Sequence, residues 1–122
     1  MRAVDRNSAP DRLASRLGVV MQITVEDRRD DNRYEVTVDG KPAGLLTYRL
    51  RPGRIAFTHA EVDRAFSGHG VGSKLASYAL DDARRRGLTV LPDCPFVSGY
   101  IAKHMEYVDL VPAESRTGYG LG

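Results

Sequence analysis

The sequence predicts an α/β domain: a mixed, mostly antiparallel sheet of about five strands with flanking helices. Two patterns carry this expectation. Apolar residues alternate through the first half of the chain, and from Val71 onward they recur at three- and four-residue spacing. The two regimes meet at a glycine-rich turn, Gly68-His69-Gly70-Val71-Gly72-Ser73.

Taken in order, residues 1–20 mix Arg, Asp, Ser and Pro with a weak apolar pattern and read as a flexible leader. The folded domain is expected over 21–111. Met21, Ile23 and Val25, then Tyr34, Val36 and Val38, alternate as half-buried strands do, and Asp39-Gly40 closes a hairpin. Gly44 to Leu50 reads as a third strand. Arg51-Pro52-Gly53-Arg54 supplies turn chemistry before a fourth strand, Ile55 to Val62. Strict alternation along that strand places Ile55, Phe57, His59 and Glu61 on one side and Ala56, Thr58, Ala60 and Val62 on the other.

Beyond the glycine turn, Val71, Leu75, Ala76, Ala79, Leu80 and Ala83 share one helical face, predicting a helix from about Gly72 to Arg86. Asp81 with Arg85 and Asp82 with Arg86 are acid-first pairs four apart, and Gly87 stands where a glycine cap belongs. A short buried strand follows at Leu88 to Leu91. Pro95 then opens a second helix that carries Phe96, Tyr100 and Ile101 and ends near His104. The Gly- and Ser-containing segment 112–122 reads as a flexible tail.

Composition narrows the function classes. The chain has 122 residues, enough for one modest core. Its 18 basic and 16 acidic residues leave a net charge of +2, too small to imply a nucleic-acid partner. Arg84, Arg85 and Arg86 could form a basic patch, but Asp81 and Asp82 pair with them and no aromatic platform accompanies them. No stretch approaches the roughly 20 apolar residues that span a bilayer. The single cysteine, Cys94, cannot form an internal disulfide, and the N-terminus lacks a signal-peptide pattern, so a cytoplasmic location is expected. His59, His69, His104 and Cys94 lack the spacing of zinc ligands, and no metal is expected.

The glycine turn carries the chemistry. A strand that ends just before glycines at 68, 70 and 72, with a helix starting at once, gathers backbone N–H groups at a positive helix end. A phosphate or pyrophosphate is the natural guest. The nucleoside-triphosphate loop requires Gly-Lys-Ser/Thr, whereas Gly72-Ser73-Lys74 stands here. The dinucleotide fingerprint requires a parallel βαβ unit, which an antiparallel meander does not provide.

Strand, Gly-x-Gly-x-Gly turn, helix and strand together resemble the coenzyme A site of the GCN5-related N-acetyltransferase superfamily. Phe57-Thr58-His59-Ala60-Glu61-Val62, the glycine turn, and Pro92-Asp93-Cys94-Pro95-Phe96-Val97 are similar to its minimal, YjdJ-type branch. The resemblance covers about residues 21 to 111. It implies a sheet splayed near Val62 that admits acetyl-CoA. Backbone groups of Ala60, Glu61 and Val62 would hold the pantetheine arm, and Gly68, His69, Gly70, Val71, Gly72 and Ser73 the pyrophosphate. Ser67 stands where the superfamily usually has Arg or Gln; Lys74 or His69 would then replace that contact, or be solvated surface residues.

Within that branch a histidine and a cysteine line the acetyl site, which implies His59 as base and Cys94 as nucleophile or proton donor. On the residues alone, Cys94 reads equally as a small buried hydrophobe, and His59 as a core histidine on the Ile55 and Phe57 face. Tyr100 resembles the superfamily's acid to the departing CoA thiolate, and its helical register also suits core packing. His104 is expected to interact with the carbonyls at its helix end.

Two functions remain: an enzyme moving an acetyl group from acetyl-CoA to an amine acceptor, on a peptide or protein or free, and a non-catalytic acyl-CoA-binding module. Monomer and homodimer are both compatible with the sequence. Superfamily members usually place two helices between the first and second strands, whereas Asp27 to Asn32 is too short for them. The acceptor side is therefore expected to be open and shallow.

Overall fold

The computed structural model describes residues 22–66 and 68–122; the expected leader 1–20, Met21 of the expected first strand, and Ser67 lie outside the described residues. Five strands form one sheet in the order β1-β2-β3-β4-β5. They are β1 (Ile23–Arg28), β2 (Arg33–Val38), β3 (Lys41–Arg51), β4 (Arg54–Val62) and β5 (Thr89–Pro92). The first four pair antiparallel, and β5 pairs parallel to β4. Two helices follow the meander, α1 (Val71–Arg85) and α2 (Pro95–Lys103).

The local signals explain most of these boundaries. Val38 pairs with Lys41 across a two-residue turn in which Asp39 (φ 51°) and Gly40 (φ 82°) are both left-handed, as a tight hairpin requires. A single 3-10 turn, Arg29–Asp31, joins β1 to β2. Helix α1 ends in a Schellman arrangement: Leu88 N–H donates to the Ala83 carbonyl at 2.9 Å and Gly87 N–H to Arg84 at 3.1 Å. Gly87 (φ 68°) supplies the left-handed residue.

One face of the sheet makes the core. Tyr34, Val36, Leu46, Ile55, Phe57 and Val90 are fully buried against Leu75, Ala79, Leu80 and Ala83 of α1 and Val97 and Ile101 of α2. Burying each such Leu, Ile or Phe side chain contributes about 1.5–3 kcal/mol. The opposite face carries Glu26, Arg28, Arg33, Glu35, Thr47 and His59, all half-buried or exposed.

One observation corrects the sequence reading. In β4, Tyr48 of β3 lies opposite Phe57 and Thr47 lies opposite His59, so Thr58 has no partner in the ladder. This bulge reverses the alternation. Ile55 and Phe57 face the core, but beyond the bulge Ala60 and Val62 take that side, and His59 and Glu61 turn outward. His59 does not continue the core face.

Residues 112–122, which the sequence reads as a flexible tail, carry local structure. The segment forms 3-10 turns at Ala113–Ser115 and Thr117–Tyr119, and Leu121 is buried in the core with Val111. An apolar side chain near the end of a polar segment found a place in the core that no local pattern encodes.

Candidate functional site

The site begins where β4 and β5 part. Their pairing runs from Arg54 opposite Thr89 to Phe57 opposite Pro92, and one further bond joins Cys94 N–H to the Phe57 carbonyl at 2.9 Å. Strand β4 continues to Val62 with β3 along one edge, while β5 has already ended. Among the described residues, no strand lies along the other edge of 58–62. A wedge therefore opens with a bare stretch of backbone on one wall, the arrangement an extended amide-containing chain can use.

At the mouth of that wedge sits the glycine turn. Gly68 (φ 84°) and Gly70 (φ 76°) are both left-handed, and a side chain at either would be strained whatever space surrounds it. Gly70 is the N-cap of α1, and its carbonyl accepts from Lys74 N–H at 3.0 Å. Having no side chain, it offers no oxygen to compete for the first N–H groups of the helix. His69, Ser73 and Lys74 are exposed around the turn. Gly72 has a different reason: a Cβ there would lie 3.1 Å from the Phe96 ring, so its absence lets α2 close onto the start of α1.

The side chains proposed for chemistry occupy different surroundings. His59 Nε2 lies 2.8 Å from a carboxylate oxygen of Glu61, and both side chains are more than half exposed on the outer face. A carboxylate only accepts, so Nε2 carries the proton toward Glu61 and Nδ1 presents a lone pair when the ring is neutral. Cys94 is 5% exposed, packs with the core and is the N-cap of α2, with Pro95 at the first helical position. Among the described residues no hydrogen bond joins the His59 and Cys94 side chains; the structure relates them through the backbone at Phe57. Tyr100 is half-buried and stacks on His104, with ring centroids 4.0 Å apart and planes 14° from parallel. His104 Nδ1–H donates to the Tyr100 carbonyl at 2.9 Å, the expected helix-end contact.

A groove of about 460 Å³ lies on the outer face beside this site, lined in part by Glu35, Thr37, Leu45, Glu61 and Asp63. Register creates it: Leu45 stands opposite both Glu35 and Glu61. Gly44 forms its floor, where a Cβ would meet the Glu61 carbonyl at 2.5 Å. Sequence reasoning missed Glu35 and Asp63, because the strands that bring them together are distant in the chain. Among the described residues, no group of three or more His, Cys, Asp or Glu side chains could hold a metal ion. None of their helices is long and apolar enough to cross a membrane.

An antiparallel meander, a glycine turn feeding a helix, and a wedge between the fourth and fifth strands define an α/β domain of the N-acetyltransferase class. Residues 33–110 match the family described as GCN5-related N-acetyl-transferase, and the chain belongs to that family. A solved NMR structure of a GCN5-like protein from Staphylococcus aureus shares the fold, with 24% identity, a TM-score of 0.57, and coverage of 75% of this chain and 87% of that one. The ribosomal-protein-S18-alanine N-acetyltransferase from Escherichia coli is 20% identical with a TM-score of 0.46, over 48% of this chain. The match spans 38% of that protein's length. No curated protein matches the chain.

Proposed function

We propose that the protein moves an acetyl group from acetyl-CoA to the amine of an exposed side chain on a peptide or protein. The observation that carries this reading is the junction of β4 and α1, where two left-handed glycines precede a helix N-terminus beside an open strand edge. Pyrophosphate suits the turn, because N–H groups and the helix dipole both favour an anion. Backbone groups of Ala60, Glu61 and Val62 suit the pantetheine amides. Ser67, Gly68, His69, Gly70, Val71, Gly72, Ser73 and Lys74 form the rest of the cofactor-binding set.

Acetyl-CoA supplies an activated thioester carbonyl. His59 takes a proton from the attacking amine at Nδ1, held by the Glu61 carboxylate on its other nitrogen. As the new C–N bond forms and the C–S bond breaks, the leaving sulfur receives a proton from the Cys94 thiol or the Tyr100 hydroxyl. In the covalent variant, the Cys94 sulfur attacks the thioester carbonyl first, the bond to the CoA sulfur breaks and that sulfur leaves with the Cys94 proton. The amine then displaces the Cys94 sulfur, which recovers the proton His59 took from the amine.

The acceptor class follows from the outer face. A single 3-10 turn between β1 and β2 leaves no helices to wall it, and the groove beside His59 carries Glu61, Asp63 and Glu35, the last paired with Arg33, so carboxylates outnumber the one guanidinium that lines it. An open surface with carboxylates suits a protruding cationic side chain better than an enclosed metabolite.

A second reading has one observation in its favour: Cys94 is only 5% exposed, and a closed-off thiol suits a module that holds acyl-CoA without turnover. The test is incubation with acetyl-CoA followed by intact-mass measurement and a CoA-release assay across free amines, lysine peptides and proteins. Release that depends on a lysine-bearing acceptor supports transfer. Tight CoA binding without release supports the module, and absence of CoA binding refutes both.

A further inference from the structure

The C-terminal segment lies beyond the family match, which ends at residue 110, yet it returns to the site. Tyr119 packs its ring on the core and donates its hydroxyl to Asp93 Oδ1 at 2.6 Å. Asp93 belongs to the two-residue link between β5 and α2, next to Cys94. Its backbone N–H is tied to the Leu91 carbonyl at 3.0 Å, and that of Cys94 to Phe57 at 2.9 Å. The link is thus held by backbone on one side and by a side chain from residue 119 on the other.

The segment is itself secured. Leu121 N–H donates to the Arg116 carbonyl at 2.7 Å, Arg116 Nε donates to the Val111 carbonyl at 2.9 Å, and the Leu121 side chain is buried. Tyr119 is therefore held from both flanks. Burial, and then the hydrogen bond to Asp93, push its phenol up to about 12, so it remains a donor across the neutral range.

We propose that residues 112–122 form a strap whose Tyr119 is a positioning residue. Acting through Asp93, it fixes the link that carries Cys94 at the closed end of the wedge. The inference rests on the acetyl-transfer reading, in which the reacting carbonyl lies at that end. Positioning of this kind is where a small displacement costs rate rather than affinity.

The experiment compares wild type, Tyr119→Phe, Asp93→Ala and the double variant in the full chain, with two readouts. The first is iodoacetamide labelling of Cys94 at several urea concentrations below the unfolding transition. A loosened link raises the rate several-fold through a local opening whose rate hardly changes with urea, whereas a merely less stable protein labels through global unfolding, at a rate that climbs steeply with urea. The second is the split of kinetic constants: kcat falls about tenfold while KM for acetyl-CoA stays within about twofold. Cutting one bond from either side also makes the two substitutions non-additive. Wild-type labelling in both single variants overturns the strap, as does an unchanged kcat where the wild type turns over. Should the wild type release no CoA, the labelling result alone decides the strap, and the failure belongs to the transfer reading.

Discussion

The Tyr34 hydroxyl donates a 2.6 Å hydrogen bond to the Asp82 carboxylate, joining β2 to α1 through the core. Asp82 is 4% exposed, and Arg85 and Arg86 also pair with it. Arg86 reaches on to Asp27 at 3.5 Å, and Asp27 accepts from the Tyr48 hydroxyl at 2.7 Å. Burial pushes the Asp82 carboxyl up, but Tyr34, Arg86 and Arg85 together pull it further down, so it ionises below the usual carboxylate range. Burial and the carboxylate partner hold the Tyr34 phenol well above its ordinary value.

Tyr34→Phe should destabilise the fold by about 1.5–3 kcal/mol, the cost of losing a buried hydrogen bond to a charged group. Because Asp82 ionises at lower pH folded than unfolded, the unfolded chain takes up the proton first on acidification. Its stabilisation is full above the ordinary Asp value of about 4 and is lost as pH falls through the lower folded value. Urea midpoints measured from about pH 7 to about pH 3 should fall less steeply in Tyr34→Phe than in wild type, because one group lowering the folded value is gone.

Gly70→Glu should abolish CoA binding. The residue is left-handed at φ 76°, and a carboxylate there would repel the phosphates at the helix N-terminus. Calorimetry with CoA measures this directly, and wild-type affinity would refute the phosphate assignment.

Gly44→Ala and Gly72→Ala should differ in cost. The Gly44 Cβ would meet a backbone oxygen of Glu61 at 2.5 Å, so the β3–β4 pairing must shift, at about 1–3 kcal/mol. The Gly72 Cβ would meet the edge of the Phe96 ring at 3.1 Å, and a side chain can yield more readily than a strand. Thermal unfolding of the two variants should rank Gly44→Ala lower.

His59→Ala should lower kcat by about 10²–10⁴, the usual worth of a general base, with a smaller loss in Glu61→Gln, which keeps a hydrogen-bonding oxygen at the same place. Steady-state kinetics at saturating acetyl-CoA would show it. CoA affinity should change little in either variant, because both side chains point to the outer face.

The sequence by itself determined the elements. Alternation marked the strands, Asp39-Gly40 the hairpin, Gly87 the end of α1, and the glycines at 68, 70 and 72 the turn, because each depends on contacts or dihedral limits within a few residues. Tertiary structure alone decided where the side chains of the site point. The bulge at Thr58 arises from pairing with Thr47 and Tyr48, and it carries His59 from the expected core face to the outer face. Cys94 is buried because the chain beyond β5 folds back onto the core, and Leu121 joins that core, with Tyr119 packed against it and bonded to Asp93, from residues far along the chain. Such placements depend on partners tens of residues away, and periodicity carries no record of them.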